Sequence, residues 1–310
     1  MLSIVVPMYN EAPVIDAFFA RVLPILAGLV RDYEILCVND GSGDGTLEVL
    51  LAHHECNPHV KIIDLARNFG KEQALTAGLD AARGDAVIPM DADLQDPPEL
   101  IATFLAKWRE GFDVVYGVRE SRDSDSLAKR STARMFYRLF NRLTEVRIPE
   151  NTGDFRLMDR RVVAALRRLP ERNRFMKGLF SWVGFRQVGV PYRREPRAAG
   201  QTKWSYWRLW NFALDGITSF STVPLRLWSY AGAAVALFAF LYAAFLVVRT
   251  IVSGVDVPGY ASLMVVILFL GGVQLISLGV IGEYLGRLYR EAKGRPTYLV
   301  GRTYGLDGDE

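Results

Sequence analysis

The sequence predicts an α/β domain with a mostly parallel sheet, followed by an amphipathic interfacial segment and a two-helix transmembrane hairpin. Three observations predict it. Short apolar runs alternate with helix-length segments across the first 120 residues, the rhythm of strands covered by helices. Polar clusters stand where several of these runs end, and two long uncharged apolar runs crowd the C-terminal third. Half of the 310 residues are hydrophobic, enough for a substantial core, and a soluble core alone does not explain that content.

Strands are expected near Leu2 to Val6, Tyr33 to Val38, Val60 to Leu65, Ala86 to Met90 and Asp113 to Tyr116. Pro13 sits where a first-turn proline is tolerated. Pro97 and Pro98 open a helix that ends at Gly111, the usual punctuation of proline at the start and glycine after the end. From Ser121 to Arg147 the chain turns polar and basic. Asn151 to Arg156 then reads as a loop before the amphipathic stretch Arg160 to Leu169.

Between Trp204 and Phe220, Trp207, Trp210, Leu214 and Ile217 share one helical face, while Ser205, Arg208, Asp215 and Ser219 share the other. Such a segment lies in a headgroup plane. Leu227 to Val248 and Ala261 to Ile281 carry no charge, and each run of about 21 or 22 residues is roughly 32 Å long as helix, the thickness of a bilayer core. Lys203, Arg208 and Arg226 precede the first run and Arg287, Arg290, Lys293 and Arg295 follow the second, whereas the link from Arg249 to Tyr260 holds only Arg249 and Asp256. Both ends are therefore expected to face the cytosol. Met1 leads straight into the apolar Leu2 to Val6 with no basic leader or cleavage site, so no signal peptide is expected.

Cys37 lies in a strand-like run and Cys56 beside a turn, neither near a second thiol, which disfavours a zinc site or a disulfide framework. His53, His54 and His59 sit near Glu55 but away from the polar strand ends, and read as a solvated cluster. A net charge of +3 gives no ground for a nucleic-acid partner. The arginine-rich stretch Arg130 to Arg174 suits a local anion or a solvated helix face equally well.

In an open parallel sheet, ligands bind beyond the carboxyl ends of the strands. Four polar clusters occupy those ends here: Asn10-Glu11, Asn39-Asp40-Gly41-Ser42, Arg67-Asn68 and Asp91-Ala92-Asp93. If the fourth strand continues, Asp91 and Asp93 point alike across a small alanine and present two carboxylates to one hard cation, with Gln95 adding an oxygen. Mg²⁺ or Mn²⁺ suits those ligands. The loop Asp40 to Gly45 is neither a dinucleotide fingerprint, whose glycine spacing differs, nor a calcium loop, which needs a glutamate where Leu51 stands. It reads as a tight turn presenting Asp40 to a base or ribose, or as a turn alone.

Val5-Val6-Pro7-Met8-Tyr9-Asn10-Glu11, Asn39 to Ser42 and Asp91 to Asp93 resemble the inverting family-two glycosyltransferases, whose nucleotide-binding fold is called type A. Arg67-Asn68-Phe69-Gly70-Lys71 and Asp91 to Pro98, with the C-terminal hairpin and Gly282 to Arg287, are more narrowly similar to the polyprenyl-phosphate glycosyltransferases related to dolichol-phosphate mannose synthase, in particular the bacterial bactoprenol-glucosyl branch. The resemblance covers essentially the whole chain.

It implies a cytosolic catalytic domain over 1–200, an interfacial segment over 201–226, a transmembrane hairpin over 227–284 and a cytosolic tail over 285–310, set in a bacterial inner membrane. It implies that Pro7, Tyr9, Glu11, Asp40 and Asp91 line the nucleotide pocket and that Asp91, Asp93 and Gln95 manage metal and diphosphate. Asp154 serves at the acceptor, while Arg119, Arg130 and Lys203 hold phosphates. The implied partners are a nucleotide sugar, with UDP-glucose as the expectation, a polyprenyl phosphate such as undecaprenyl phosphate, membrane lipid and further copies of the chain, as in a tetramer. The chemistry agrees, since a nucleoside diphosphate leaving group needs a cation and basic side chains rather than a protonating acid. A dianionic phosphate nucleophile hardly needs a base, so Asp154 could equally orient the phosphate through Arg156 or cap the segment that follows. Two rivals are a processive polysaccharide synthase, disfavoured by only two spans, and a non-catalytic membrane scaffold, disfavoured by the intact Asp91, Asp93, Gln95 and Asp154.

Overall fold

The computed structural model describes residues 1–120, 144, 149, 151–169, 171–172, 174–195, 221–253 and 259–306. Arg130, Lys203 and the expected interfacial stretch from Trp204 to Phe220 lie outside the described residues.

The expected strands form the centre of one eight-stranded sheet among the described residues. They are β1 (Leu2–Met8), β2 (Tyr33–Asn39), β3 (Val60–Leu65), β4 (Ala86–Pro89) and β5 (Val114–Arg119). Three more strands join them: β6 (Thr152–Asp159), β7 (Gln187–Tyr192) and β8 (Val300–Tyr304). The order is β7-β5-β6-β4-β1-β2-β3-β8. From β4 to β3 the sheet is parallel, with Ile4 opposite Ile35 and Ile88. β6 runs antiparallel to both β4 and β5, β8 runs antiparallel to β3, and β7 is parallel to β5.

Residue alternation along β1 sends its side chains into two cores. Leu2, Ile4, Val6 and Met8 pack with Val14, Ile15, Phe18 and Phe19 of α1 (Ala12–Leu29) and with Ile101, Phe104 and Leu105 of α4 (Leu100–Arg109). Val5 faces the opposite way, onto Leu75 and Leu79 of α3 (Lys71–Ala81), in a cluster shared with α5 (Arg160–Arg167) and α6 (Met176–Trp182). α3 comes so close that a Cβ on Gly78 would lie 2.2 Å from Val5 Cγ1. α1 is long and apolar enough to cross a membrane, yet its buried face belongs to the sheet. α2 (Thr46–Cys56) joins the same side through Leu50.

The expected proline and glycine punctuation holds. Pro13 lies in the first turn of α1, Pro97 and Pro98 lead into α4, and Gly111 follows it at φ +92°. Two expectations fail. Asn151 to Arg156 is not a loop, because after Asn151 at φ +60° the chain enters β6, pairing first with β5 and then, from Met158, with β4 as well. Nor does the fourth strand run on through Asp93: β4 ends at Pro89 and the chain turns, with Leu94 at φ +55°.

α7 (Val223–Ser253) and α8 (Tyr260–Ala292) contain the two expected spans. Both have stretches long and apolar enough to cross a membrane, and Phe240, Ile251 and Leu275 on them are exposed. At 31 and 33 residues they are about 46 and 50 Å long, longer than the roughly 30 Å hydrocarbon layer. The segment expected as a tail is instead partly structural: α8 runs on to Ala292, and β8 then returns to the edge of the sheet beside β3.

Candidate active site

The carboxyl ends of β1, β2, β3, β4, β5 and β7 and the start of β6 all meet at one edge of the sheet. Pro7, Tyr9, Glu11, Asp40, Asp91, Asp93, Gln95, Arg119 and Asp154 are therefore brought to the same edge. Tyr9 is exposed there, and Pro7 is partly buried at the end of β1.

The first two loops are stitched together. Asn10 takes the left-handed conformation at φ +53°, its backbone amide donates to Ser42 Oγ at 3.0 Å and its Oδ1 accepts from the Gly43 amide at 2.9 Å. The Glu11 amide donates to Thr46 Oγ1 at 2.9 Å. Asp40 does not face outward as a base or ribose ligand. It is buried, and its two carboxylate oxygens accept the amides of Phe69 at 2.7 Å and Gly70 at 2.9 Å. Burial raises its pKa despite those bonds. Gly41 sits at φ +61°, and a Cβ there would stand 2.4 Å from the Arg67 carbonyl carbon, so the β2 turn leans directly on the β3–α3 loop.

That loop delivers Lys71, whose Nζ lies 2.7 Å from Asp91 Oδ1 and 2.9 Å from Asp154 Oδ2. Burial works against the ammonium, but the carboxylates of Asp154 and Asp91 outweigh it and hold its pKa well above the ordinary value. Asp154 projects from β6 with Oδ1 buried and without a hydrogen-bond partner. Burial opposes its charge too, yet Lys71, Lys177 and Arg156 hold its pKa far below the usual carboxylate range. It does not cap the following helix. Asp159 does so, accepting from the Arg161 amide at 2.9 Å. Arg156 is buried over the ring of Phe180 at 4.0 Å, where desolvation lowers its pKa to about 10. Glu72, next to Lys71, is pushed up to about 7, first by burial and then by the charge of Asp154.

Beside this group lies a second. Arg119 donates from Nε to the Tyr192 hydroxyl at 3.1 Å and lies 3.7 Å from Asp96. Tyr192 donates to buried Asp96, whose pKa burial raises. Gly153 leaves room for Arg119, since a Cβ there would meet its Nη2 at 2.9 Å. Arg194 donates to Gln95 Oε1, and Asp93 Oδ1 accepts the Gln95 amide at 3.2 Å. Asp91, Asp93 and Gln95 thus share one short turn and offer oxygen atoms only, a donor set that fits a hard divalent cation. Among the described residues no group of three His, Cys, Asp or Glu side chains could hold a metal.

The sequence reading had not assigned functions to Lys71, Glu72, Asp96, Tyr192 and Arg194. Lys71 and Asp96 carried a signal, standing inside the two motifs; Tyr192, which ends β7, and Arg194, just after it, carried none. The histidines are individually bound rather than clustered around an ion: His53 to Asp16 at 2.8 Å, His54 to the Val60 carbonyl and His59 to the Tyr33 carbonyl. Cys37 is buried and Cys56 exposed, both as free thiols.

Residues 3–167, more than half of the chain, match Glycosyl transferase family 2. The chain belongs to that family. Residues 223–288 of this family-two glycosyltransferase match the GtrB C-terminal hairpin. It is 62% identical over 306 residues to an uncharacterized glycosyltransferase, sll0501, of Synechocystis sp., spanning 99% of this chain and 96% of the relative. It is 50% identical over 303 residues to the SfII prophage-derived bactoprenol glucosyl transferase of Shigella flexneri, spanning 98% of each. Among solved structures it is similar to the mannosyltransferase PcManGT of Pyrobaculum calidifontis in complex with GDP-Man and Mn²⁺, with a TM-score of 0.49 and 19% identity over 94% of this chain and 85% of that one.

Proposed function

We propose that this glycosyltransferase moves a hexose, glucose, from UDP-glucose to undecaprenyl or another polyprenyl phosphate at the cytosolic face of the membrane, with inversion. The observation that carries the reading is the 50% identity to a bactoprenol glucosyl transferase across 98% of both chains, catalytic domain and hairpin together. An acceptor that cannot leave the bilayer calls for a catalytic edge tied to membrane helices, and α7 and α8 supply them.

Asp91, Asp93 and Gln95 would hold Mg²⁺ or Mn²⁺, which supplies positive charge to the departing nucleoside diphosphate. The chain's own cations do the same beside that turn, where Arg119, near Asp96, and Arg194, which donates to Gln95, present guanidinium groups suited to phosphate oxygens. Tyr192 and Asp96 hold Arg119 in place. The lipid phosphate, with a second pKa near 6, is largely dianionic and attacks in a single in-line displacement. Lys71, Lys177 and Arg156 favour the ionised form of Asp154, so it orients the acceptor through Lys71 and Arg156, and takes up a residual proton only when those cations draw back.

The decisive experiment incubates the purified full chain with undecaprenyl phosphate and a panel of nucleotide sugars and reads lipid-product mass. A polyprenyl-phosphate hexose made from UDP-glucose, abolished by chelator and reduced by orders of magnitude in Asp93→Asn, is the expected result. Polymer, no lipid product from any donor, or full activity in chelator contradicts the reading.

A further inference from the structure

Lys71 makes one contact that the reaction leaves unexplained, its ion pair with Asp91. Asp91 is assigned to the cation and Asp154 to the acceptor phosphate, yet one ammonium now bridges both, at 2.7 and 2.9 Å. A lysine carries a compact point charge with three donors on a flexible stem. It can bridge two carboxylates at once, but it and a divalent cation cannot both sit against Asp91 without strong repulsion.

The base of the side chain is fixed by the backbone, while its head is held only by its ion pairs to the two carboxylates. Lys71 opens α3 directly after Gly70, which takes φ +102°, and the amides of Phe69 and Gly70 are pinned to the buried carboxylate of Asp40. The Lys71 side chain nevertheless keeps 44% of its exposure, and that of Asp91 keeps 37%. Asp154 is more enclosed, with 18% exposure and one oxygen buried without a partner. Of the two carboxylates, Asp91 is therefore the one that solvent, a cation and a diphosphate reach first.

We propose that Lys71 is an internal cation that occupies the Asp91–Asp154 pair in the donor-free enzyme, and that the divalent cation arriving with the nucleoside diphosphate displaces it from Asp91. Metal and lysine compete for one carboxylate, so metal alone binds weakly. The nucleoside diphosphate supplies further oxygens to the metal, and the released ammonium keeps Asp154 or turns to the phosphates. Cation entry and release of the acceptor-side carboxylate become one event, which orders the site for the lipid phosphate only when donor is present. This inference rests on the reading of Asp91 as a cation ligand.

The test is Mn²⁺ binding to the full chain in detergent, followed by loss of the free-ion electron paramagnetic resonance signal, with and without UDP. Wild type is expected to bind Mn²⁺ weakly alone and more tightly with UDP. Lys71→Met should bind Mn²⁺ alone about 10-fold more tightly, a typical size for a coupling between two ligands, and gain correspondingly less from UDP. Lys177→Met removes the same charge from the neighbourhood of Asp154 and Glu72, and separates contact from general electrostatics. It should stay within about twofold of wild type.

Should Lys71→Met fail to fold with its carboxylates uncompensated, Lys71→Met/Asp154→Asn measured against Asp154→Asn reads the same difference in a charge-balanced background. Equal Mn²⁺ affinity with and without the lysine, or an equal gain in Lys177→Met, overturns the competition while leaving the cation site standing. Absence of UDP-dependent Mn²⁺ binding in wild type and every variant removes the cation site itself, and the inference with it.

Discussion

Asp40→Ala separates a carboxylate that holds a loop from one that holds a ligand. Its two oxygens accept backbone amides at 2.7 and 2.9 Å, and hydrogen bonds to an ionised group each contribute about 1.5–3 kcal/mol. The gross loss would be about 3–6 kcal/mol, but burial raises the pKa of Asp40, so desolvation of the carboxylate already offsets part of that gain. A net destabilisation of about 2–4 kcal/mol follows, most of it from two amides left without acceptors. Asp40→Asn keeps one acceptor and should lose roughly half as much. Thermal unfolding gives the total, and hydrogen exchange locates it, since the amides of Phe69 and Gly70 should lose protection while those of β1 keep it. Because Gly70 carries Lys71, donor KM should rise more than kcat falls. Unchanged protection at Phe69 and Gly70 in Asp40→Ala, together with lost nucleotide affinity, would refute the loop role and return Asp40 to direct ligand contact.

Asp154→Asn should lower lipid-linked product by two to four orders of magnitude, roughly the range for a lost proton acceptor or a misplaced nucleophile, with donor binding close to normal. Its unfolding temperature should move little, because the amide still accepts from Lys71 and Glu72, freed from a neighbouring charge, can ionise in its place. Partial rescue at higher pH supports a proton-accepting role, and full activity at neutral pH removes Asp154 from the reaction. Glu72 carries a folded-state pKa of about 7 against an ordinary 4.5, so the folded state holds its proton more tightly than the unfolded state does. The stability this contributes is complete below pH 4.5 and is lost as pH rises through 7. Glu72→Gln should flatten the decline in unfolding temperature between about pH 5 and 8, and identical slopes would count against the shifted pKa. A reporter fused after Glu310 should be cytosolic and one inserted near Val257 should lie on the opposite side. Cytosolic labelling of the link would sink the hairpin topology.

What the sequence reveals and what it hides follow from where each strand lies. β1 and β2 are almost wholly buried, so they read as unbroken apolar runs, and the polar residues that end them mark the catalytic edge directly. β6 hides because it crosses from that edge into the core. Its first five residues include Asp154 and Arg156, and a strand that begins Thr-Gly-Asp looks like a loop until its pairing with β5 is known. β7 contains Pro191, which an edge strand tolerates, and β8 is largely exposed, so neither shows a period of two. The site was legible to the same extent. Asp91, Asp93 and Gln95 follow β4 and Arg119 ends β5, so their place at this edge is readable from position, whereas the outward role expected of Asp40 could not be judged without knowing that the β3–α3 loop lies over it. The contact of Lys71 with both Asp91 and Asp154 joins three distant stretches of chain, and only the placement of β6 beside β4 creates it.

The return of the chain after α8 bears on how such a site could meet a lipid. Glu291 in the last turn of α8 accepts the backbone amide of Arg172 at 3.0 Å, Tyr298 donates to Asp80 of α3 at 2.9 Å, and the Ala66 amide donates to the Leu299 carbonyl at 3.0 Å. β8 then pairs with β3 from Ile62 to Leu65. β3 and α3 flank the loop that presents Lys71, so the elements that hold this lysine also hold the chain emerging from the hairpin. A flexible linker would let the catalytic edge sample many heights above a bilayer, and effective concentration falls steeply with such freedom. Strand pairing removes that freedom. On the proposed reading, an acceptor phosphate confined to the membrane surface meets an edge held at one height, and the residues after α8 are part of the machinery that brings the two together.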